Sequence, residues 1–288
     1  MKNVAELIQH LDLERLEVNL FRGDSRSVGS PRVFGGQVLA QAVSAAYLTV
    51  PEERLLHSLH GYFVLPGDTE QPIVFSVEHI RDGGSFTTRA VRAIQHGKAI
   101  FYLTASFQKE QEGYDHQITA PEVPGPEELA SWEGIAKQFG DVLPAGIKRF
   151  LDIERPLEFR PVEFENPFAA EPREAYRHVW LRTKGRMPAD NPRLHRQVLA
   201  YASDYNLLTT ALIPFGKATD LRGIQLASLD HAMWFHRPFR ADEWLLYAID
   251  SPSASGARGL SRGNFFDRQG RLVASVVQEG LMRPTRID

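Results

Sequence analysis

The sequence predicts an α+β protein made of two copies of one unit, each a long central helix wrapped by an antiparallel β-sheet. Each half of the chain contains one strongly apolar helical segment and several strand-like runs separated by turn residues. The small drift in spacing between the matching segments is what loop insertions between two repeats produce. The segments that recur in the same order are residues 37–42 with 197–202, residues 62–66 with 234–238, and Gly97 with Gly270.

The composition indicates a large core and argues against several kinds of partner. The chain has 288 residues, of which 43% are hydrophobic, enough for one large or two ordinary domains. Its formal net charge is −3 with no long run of one sign, so neither nucleic acid nor an anionic membrane surface is expected as a partner. The absence of cysteine excludes disulfides, thiolate nucleophiles and cysteine-bound zinc, and it fits a reducing compartment.

The chain shows no targeting signal of the common kinds. Its first 21 residues alternate charged and apolar groups and lack the continuous apolar core of a signal peptide. No segment reaches about 18 consecutive apolar residues, so no transmembrane helix is expected. The last residues, MRPTRID, do not form a peroxisomal address. A cytoplasmic location is therefore expected.

The first half is predicted to begin with two helices and to continue as an antiparallel meander. Hydrophobic spacing predicts an amphipathic helix over residues 4–20, then a loop over 21–31. An apolar helix follows from Gln37 and ends before Pro51. Turn residues such as His96-Gly97 separate the strands. The predicted strands are residues 56–65, 72–81, 86–95 and 99–108.

A change in composition after residue 110 marks a connector between the halves. Prolines, glutamates and glutamines surround two predicted helices, at residues 127–139 and 145–151. In the second half, Asn191 is expected to cap a helix that has Pro192 at its first position. Strands are predicted at residues 159–164, 176–183, 225–236, 244–250, 258–266 and 271–282. We therefore divide the chain into an N-terminal repeat (1–110), a connector with helical segments (111–156) and a C-terminal repeat (157–288).

The first candidate for chemistry is Asp204, which lies within the apolar helical segment 197–213. Burying an unpaired carboxylate is costly, so this group must be hydrogen-bonded, paired or protonated. The alternative is a core aspartate bonded to backbone amides. Its expected neighbours at helical spacing are Ala200, Tyr201, Leu207 and Leu208.

Two side chains of the predicted sheet are candidates to meet Asp204. Gln278 is a primary amide on an otherwise apolar face of the last strand, and Ser228 offers a hydroxyl near the start of an earlier strand. Taken alone, each is equally explained as an ordinary strand residue. Strand alternation places His231 on the face opposite Ser228, where a core or surface histidine is the simpler interpretation. Asp204, Ser228 and Gln278 together can hold one water and accept its proton, which favours hydrolysis of an activated carbonyl.

Several common catalytic motifs are missing. The sequence has no G-x-S-x-G elbow, no H-E-x-x-H pair and no P-loop. Gly35-Gly36 precedes the first apolar helix, where free amides favour an anion or a developing oxyanion. We interpret these two glycines as a turn in preference to a binding site. On the repeat alignment Ser44 is opposite Asp204 and Ala105 is opposite Gln278, so only the second repeat carries the candidate catalytic groups.

On these residues the chain resembles the acyl-CoA thioesterase II family, which has a double hot-dog fold. The resemblance spans nearly the whole chain. It implies that an Asp, a hydroxyl residue and a Gln activate the water, at the positions of Asp204, Ser228 and Gln278. The family commonly has Thr where this chain has Ser228, which keeps the hydroxyl but loses a β-branch that restricts the rotamer. The stretches that carry the resemblance are VFGGQVLAQA (33–42), HSLHGYFVLPGD (57–68), DGGSFTTRA (82–90), YASDYN (201–206), DHAMWFHRPF (230–239) and VASVVQEG (273–280).

The resemblance also implies a substrate and an assembly. It predicts hydrolysis of medium- to long-chain fatty acyl-CoA to free fatty acid and CoA, with no cofactor and no metal. It suggests a homo-oligomer of double hot-dog units. Two other functions stay open: an enoyl-CoA hydratase, in which His231 or His60 would join an aspartate, and an acyl-CoA-binding sensor without catalysis.

Overall fold

The computed structural model describes residues 1–139, 142–143, 148, 151–163, 171–217, 221 and 223–285. The helix predicted at 145–151 and the end of the strand predicted at 159–164 lie largely outside these residues. The helices are α1 (Val4–Leu11), α2 (Gly35–Tyr47), α3 (Trp132–Phe139), α4 (Pro192–Ser203) and α5 (Leu207–Thr210). The strands are β1 (Glu14–Glu17), β2 (Leu20–Gly23), β3 (Arg54–Phe63), β4 (Ile73–Asp82), β5 (Phe86–Gln95), β6 (Lys98–Lys109), β7 (Leu157–Pro161), β8 (Tyr176–Thr183), β9 (Ile224–Ser228), β10 (Asp230–Phe235), β11 (Leu245–Ser255), β12 (Arg258–Asp267) and β13 (Leu272–Pro284).

The strands of the described residues form one antiparallel 13-stranded sheet, which confirms the predicted α+β architecture. Its order is β1-β2-β4-β5-β6-β3-β10-β13-β12-β11-β8-β7, and β9 also pairs with β13. The two halves meet where β3 pairs with β10, with Ala232 opposite His60. On either side of this junction the strands follow one another in mirrored order. The architecture is that of two hot-dog units joined edge to edge, while the exact repeat boundaries stay a prediction.

The two long helices lie inside the curve of the sheet and pack against each other. Every residue of α2 from Gly36 to Tyr47 is buried, which explains why its sequence is apolar around its whole circumference. Helix α4 begins as predicted: the Asn191 side chain accepts from the Leu194 amide at 3.0 Å and Pro192 takes the first turn. The main apolar cluster contains residues of both helices, so the two halves share it.

The predicted N-terminal helix is too long. Helix α1 ends at Leu11, and the following residues form the hairpin of β1 and β2, which extends the sheet through β4. The charged and apolar residues of this segment alternate in a way that also suits a strand, and the free edge of β4 supplies the hydrogen-bonding partner. A cross-strand pair between Glu14 and Arg22, 2.5 Å apart, stabilises the exposed hairpin.

The strand predicted at residues 225–236 is interrupted at Leu229. Its backbone amide donates to Glu279 on one side, and its carbonyl accepts from Phe63 on the other, each at 2.9 Å. Strands β9 and β10 both pair with β13, but their registers differ by one residue, so regular alternation of side chains fails across the break. The His96-Gly97 turn is confirmed: both residues have positive φ, 50° and 71°, as a two-residue hairpin requires.

Candidate active site

The predicted continuous helix over residues 197–213 is wrong, and its break positions Asp204. Helix α4 ends at Ser203, Asp204 follows as its C-terminal cap, and Asn206 has a left-handed backbone with φ of 67°. Asparagine tolerates this conformation better than most residues, so the chain turns here before the short helix α5. Asp204 consequently lies at a helix end that faces the N-terminus of α2, and not within an apolar stripe.

The carboxylate of Asp204 is held by donors from three separate elements. Its Oδ2 accepts from the Gly36 amide at 2.9 Å, and its Oδ1 accepts from Gln278 Nε2 at 2.8 Å. The Ser228 side chain lies close enough to the same carboxylate to lower its pKa. The structure thus brings together all three residues that the sequence suggested. Asp204 and Ser228 are each partly exposed as whole residues.

The surroundings of Asp204 act on its pKa in opposite directions. Burial raises the pKa of this carboxyl above its ordinary value, and the hydrogen bonds from Gln278, Gly36 and Ser228 oppose that rise. The net direction is upward, because desolvation outweighs the donors. A carboxylate with a raised pKa is a stronger base, and its hydrogen bonds keep it oriented.

The two glycines at the start of α2 allow the carboxylate to approach. They form the first turn of the helix, so their interpretation as a turn outside it is wrong. A Cβ on Gly35 would lie 2.7 Å from Asp204 Oδ2, and one on Gly36 would lie 2.4 Å from the Tyr201 carbonyl oxygen. Either side chain would separate the N-terminus of α2 from Asp204.

Gln278 and Ser228 reach the site from the sheet. Gln278 is 1% exposed on the inward face of β13, as alternation predicts. Ser228 ends β9 immediately before the break at Leu229.

The break also turns His231 towards the site, a contact that strict alternation failed to predict. His231 is fully buried, and its Nδ1 lies 3.3 Å from Gln278 Nε2. Burial lowers the pKa of His231 to about 3, so the ring is neutral at pH 7. In the sequence, the residue that could have indicated the break is Asp230, because strands disfavour aspartate. In the structure, its carboxylate accepts a hydrogen bond from the Glu279 amide at 2.7 Å.

His60, the other histidine considered for a hydratase, and two further histidines have partners other than Asp204. His60 is exposed and packs edge-on against Trp234, with ring centroids 5.2 Å apart. His57 Nε2 lies 2.8 Å from the Ser106 hydroxyl, and His236 Nε2 lies 3.0 Å from that of Ser275. Their contacts are those of ordinary sheet residues.

The part of the chain that the structure describes shows no cluster of metal ligands apart from or at this site. Among the described residues, no three His, Cys, Asp or Glu side chains group as metal ligands. A cavity of about 760 Å³ lies near the start of α4, away from Asp204. Carboxylates pair with its basic residues, as in Arg182 with Glu158 and Arg240 with Asp242.

The opposite helix junction, where the start of α4 meets the end of α2, lacks the catalytic set. Ser44 takes the place of a carboxylate, and its hydroxyl donates to the Ala40 carbonyl at 3.0 Å. Ala105, fully buried, stands where the second repeat has Gln278. The guanidinium of Arg193 occupies this junction and donates to backbone carbonyls at the end of α2. The described residues therefore carry one candidate site.

The fold and the site place the protein in the class of double hot-dog hydrolases. The family described as "Acyl-CoA thioesterase" matches residues 148–281, and "Acyl-CoA thioesterase N-terminal domain" matches residues 22–108. Acyl-CoA thioesterase 2 of Haemophilus influenzae is 42% identical over 277 residues, which cover 96% of each chain. The chain belongs to the acyl-CoA thioesterase II family, and it is a thioester hydrolase.

Solved structures agree with this assignment. The acyl-CoA thioesterase II TesB2 of Mycobacterium marinum is 44% identical, with a TM-score of 0.78 over 96% of this chain and 97% of that one. A hot-dog protein of unknown function from Alicyclobacillus acidocaldarius is only 18% identical yet has a TM-score of 0.77, which supports the fold alone. Within the described part of the chain, no helix combines the length and apolar character needed to cross a bilayer.

Proposed function

We propose that the protein hydrolyses medium- to long-chain fatty acyl-CoA to the free fatty acid and CoA, by direct attack of a water that Asp204 activates. The observation that carries this proposal is the convergence on one carboxylate of Gln278 Nε2, which donates to it at 2.8 Å, and of the Ser228 side chain, which lies close enough to lower its pKa. These groups come from three elements, so their convergence is not a by-product of local sequence. The repeats at 1–110 and 157–288, a cytoplasmic location and a homo-oligomeric assembly belong to the same proposal.

In the proposed reaction, Asp204 accepts a proton from water while the water oxygen attacks the thioester carbonyl. Ser228 and Gln278 fix the direction of the water's lone pair. The negative charge that develops on the carbonyl oxygen is favoured near the N-terminus of α2, where the helix dipole is positive. Collapse of the tetrahedral intermediate expels the CoA thiolate, which takes up the proton that Asp204 holds. The products are a carboxylic acid and a free thiol.

The proposal is tested by measuring thiol release from acyl-CoA esters of increasing chain length, with the wild type and Asp204→Asn. We expect release with medium and long chains, and a loss of at least about a thousandfold in Asp204→Asn, because the variant has no base. Asp250→Asn is a matched control, since Asp250 is an exposed partner of Arg262. Full activity of Asp204→Asn would remove the proposed base.

The same experiment distinguishes hydrolysis from the two alternative functions, an enoyl-CoA hydratase and an acyl-CoA sensor. Loss of enoyl-CoA absorbance without thiol release would indicate a hydratase. Intact acyl-CoA recovered after long incubation with the wild type would indicate a sensor. The structure favours neither, because His60 is exposed and packs against Trp234, and His231 contacts Gln278 and not Asp204.

A further inference from the structure

A chain of buried polar groups runs from Asp204 into the core. Gln278 Nε2 donates to Asp204 Oδ1 at 2.8 Å and lies 3.3 Å from His231 Nδ1. On the far side of the ring, His231 Nε2 lies 2.9 Å from Ser203 Oγ, and that hydroxyl donates to the Ala200 carbonyl at 2.9 Å. His231 and Ser203 are both fully buried, so neither exchanges these contacts with bulk solvent.

The proton positions in this chain follow from the donor inventory. The single proton of the Ser203 hydroxyl is used on Ala200, so Oγ can only accept from His231 Nε2. A neutral ring that carries its proton on Nε2 has a bare lone pair on Nδ1. That lone pair accepts the second N–H of Gln278, whose first N–H is bound to Asp204.

Two acceptors, Asp204 and His231, therefore fix the orientation of the Gln278 amide. Both N–H bonds point to protein acceptors, and the carbonyl oxygen Oε1 is left to face the remaining direction. No residue that the structure describes donates to this buried Oε1. A buried amide oxygen with an open lone pair is suited to accept one hydrogen of a water.

We propose that His231, with its tautomer set by Ser203, is a positioning residue that fixes the Gln278 amide with Nε2 towards Asp204 and Oε1 free for the attacking water. This inference rests on the proposed function. The opposite amide orientation would point Oε1 at the Asp204 carboxylate and would require a proton on His231 Nδ1. Ser203 disfavours that tautomer, since its hydroxyl would have to leave Ala200 and donate to Nε2 instead.

The tautomer can be observed without any activity assay. In protein labelled with ¹⁵N-histidine, the ring nitrogen shifts of His231 are assigned by comparison with His231→Asn. We expect a protonated Nε2 and a bare Nδ1 at pH 7. A protonated Nδ1, or a doubly protonated ring, would overturn the inference.

Two variants at His231 separate positioning from packing. Asparagine keeps an acceptor near the place of Nδ1, whereas leucine fills similar volume without one. We expect kcat to fall by at least about tenfold in His231→Leu with KM within about twofold, and to stay within about threefold of wild type in His231→Asn. Equal kcat in both variants and the wild type would refute a positioning role, and so would equal losses in both.

Ser203→Ala tests the remote end of the chain, with Ser44→Ala as its matched control. Both serines are buried and donate to a carbonyl of their own helix, but only Ser203 contacts a histidine. We expect kcat to fall by about three- to tenfold in Ser203→Ala and to be unchanged in Ser44→Ala. Unchanged kcat in Ser203→Ala beside an inactive Asp204→Asn would refute the role of His231 and leave the proposed hydrolysis standing. An active Asp204→Asn would instead refute the proposed function.

Discussion

The amide of Gly36 donates to Asp204 Oδ2 at 2.9 Å, although the two residues are 168 positions apart in the chain. Gly36 belongs to the first turn of α2, and Asp204 caps the end of α4, so each half of the protein contributes one partner. The positive end of the α2 dipole also faces this carboxylate and favours its ionised form. The base is therefore complete only when the two halves are packed together.

This contact makes Gly36 sensitive to any side chain. In Gly36→Ala, the new Cβ would lie 2.4 Å from the Tyr201 carbonyl oxygen and 2.6 Å from the Phe34 ring, so backbone must shift. We expect kcat to fall more than about tenfold and the free energy of unfolding to fall by about 1–3 kcal/mol. Thiol release and urea unfolding measure the two effects.

Gly84→Ala is the control for Gly36→Ala, because a Cβ at Gly84 meets nothing within 4 Å. It should match the wild type in both assays. Wild-type kcat in Gly36→Ala would show that the contact between α2 and Asp204 is not needed for turnover.

The pKa of Asp204 determines the acid limb of the pH–rate profile. Because burial raises that pKa, kcat/KM should fall with decreasing pH at a midpoint above the ordinary value for aspartate. Ser228→Ala removes a hydrogen bond that favours the ionised form, so the midpoint should move to still higher pH. Profiles of kcat/KM against pH for both proteins test this. A midpoint that moves down in Ser228→Ala would contradict the assigned hydrogen bond.

Because His231 is buried, we also expect the free energy of unfolding to depend on pH. Its pKa falls from 6.5 in the unfolded chain to about 3 in the fold, so below pH 6.5 the unfolded state binds a proton that the folded state does not. The stability that this group contributes is full above pH 6.5 and is lost as the pH falls towards 3. Between pH 7 and pH 5 the loss is about 2 kcal/mol.

Urea unfolding of the wild type and His231→Leu at pH 7, 6 and 5 measures this term. His10, whose burial lowers its pKa to about 4, adds a decline of the same sign, but it is present in both proteins. The wild type should therefore lose about 2 kcal/mol more than the variant over this range. Parallel declines would mean that His231 is not held neutral.

Much of the fold was predictable because the repeats carry strong local signals. The strand at residues 86–95 and the strand at 176–183 match β5 and β8 in both bounds, since alternation and flanking turn residues agree there. The hairpin of β1 and β2 was missed because nothing local distinguishes its residues from a helix. Only the edge of β4, a distant partner, determines that they form strands.

The candidate site was predicted by residue type and missed in part of its geometry. Asp204 and Gln278 were found because a polar group on an apolar surface is costly unless it is bonded. Periodicity alone could not show that the helix ends at Ser203, because the left-handed turn at Asn206 is specified by a single residue. Nor could it show His231 beside Gln278, because the break at Leu229 reverses the side-chain direction.

At the opposite helix junction, we expect Arg193 to matter for stability and not for catalysis. The guanidinium of Arg193 donates to the carbonyls of Tyr47 at 3.3 Å, Val50 at 3.2 Å and Arg54 at 3.3 Å, and it also contacts the Pro51 carbonyl. A cation at the C-terminus of α2 complements the negative end of its dipole. Arg193→Leu should lower the free energy of unfolding by about 2 kcal/mol, because it leaves several carbonyls without their donor.

In the same variant kcat should stay within about twofold of wild type, because Arg193 lies at the end of α2 opposite to Gly36 and Asp204. Arg193→Lys restores the charge but not the planar fork, so it should recover part of the lost stability. Arg92→Leu, at an exposed position of β5, is the control and should leave both quantities unchanged. Urea unfolding and thiol release on the four proteins decide the matter. A large fall in kcat at unchanged stability would mean that this junction takes part in turnover.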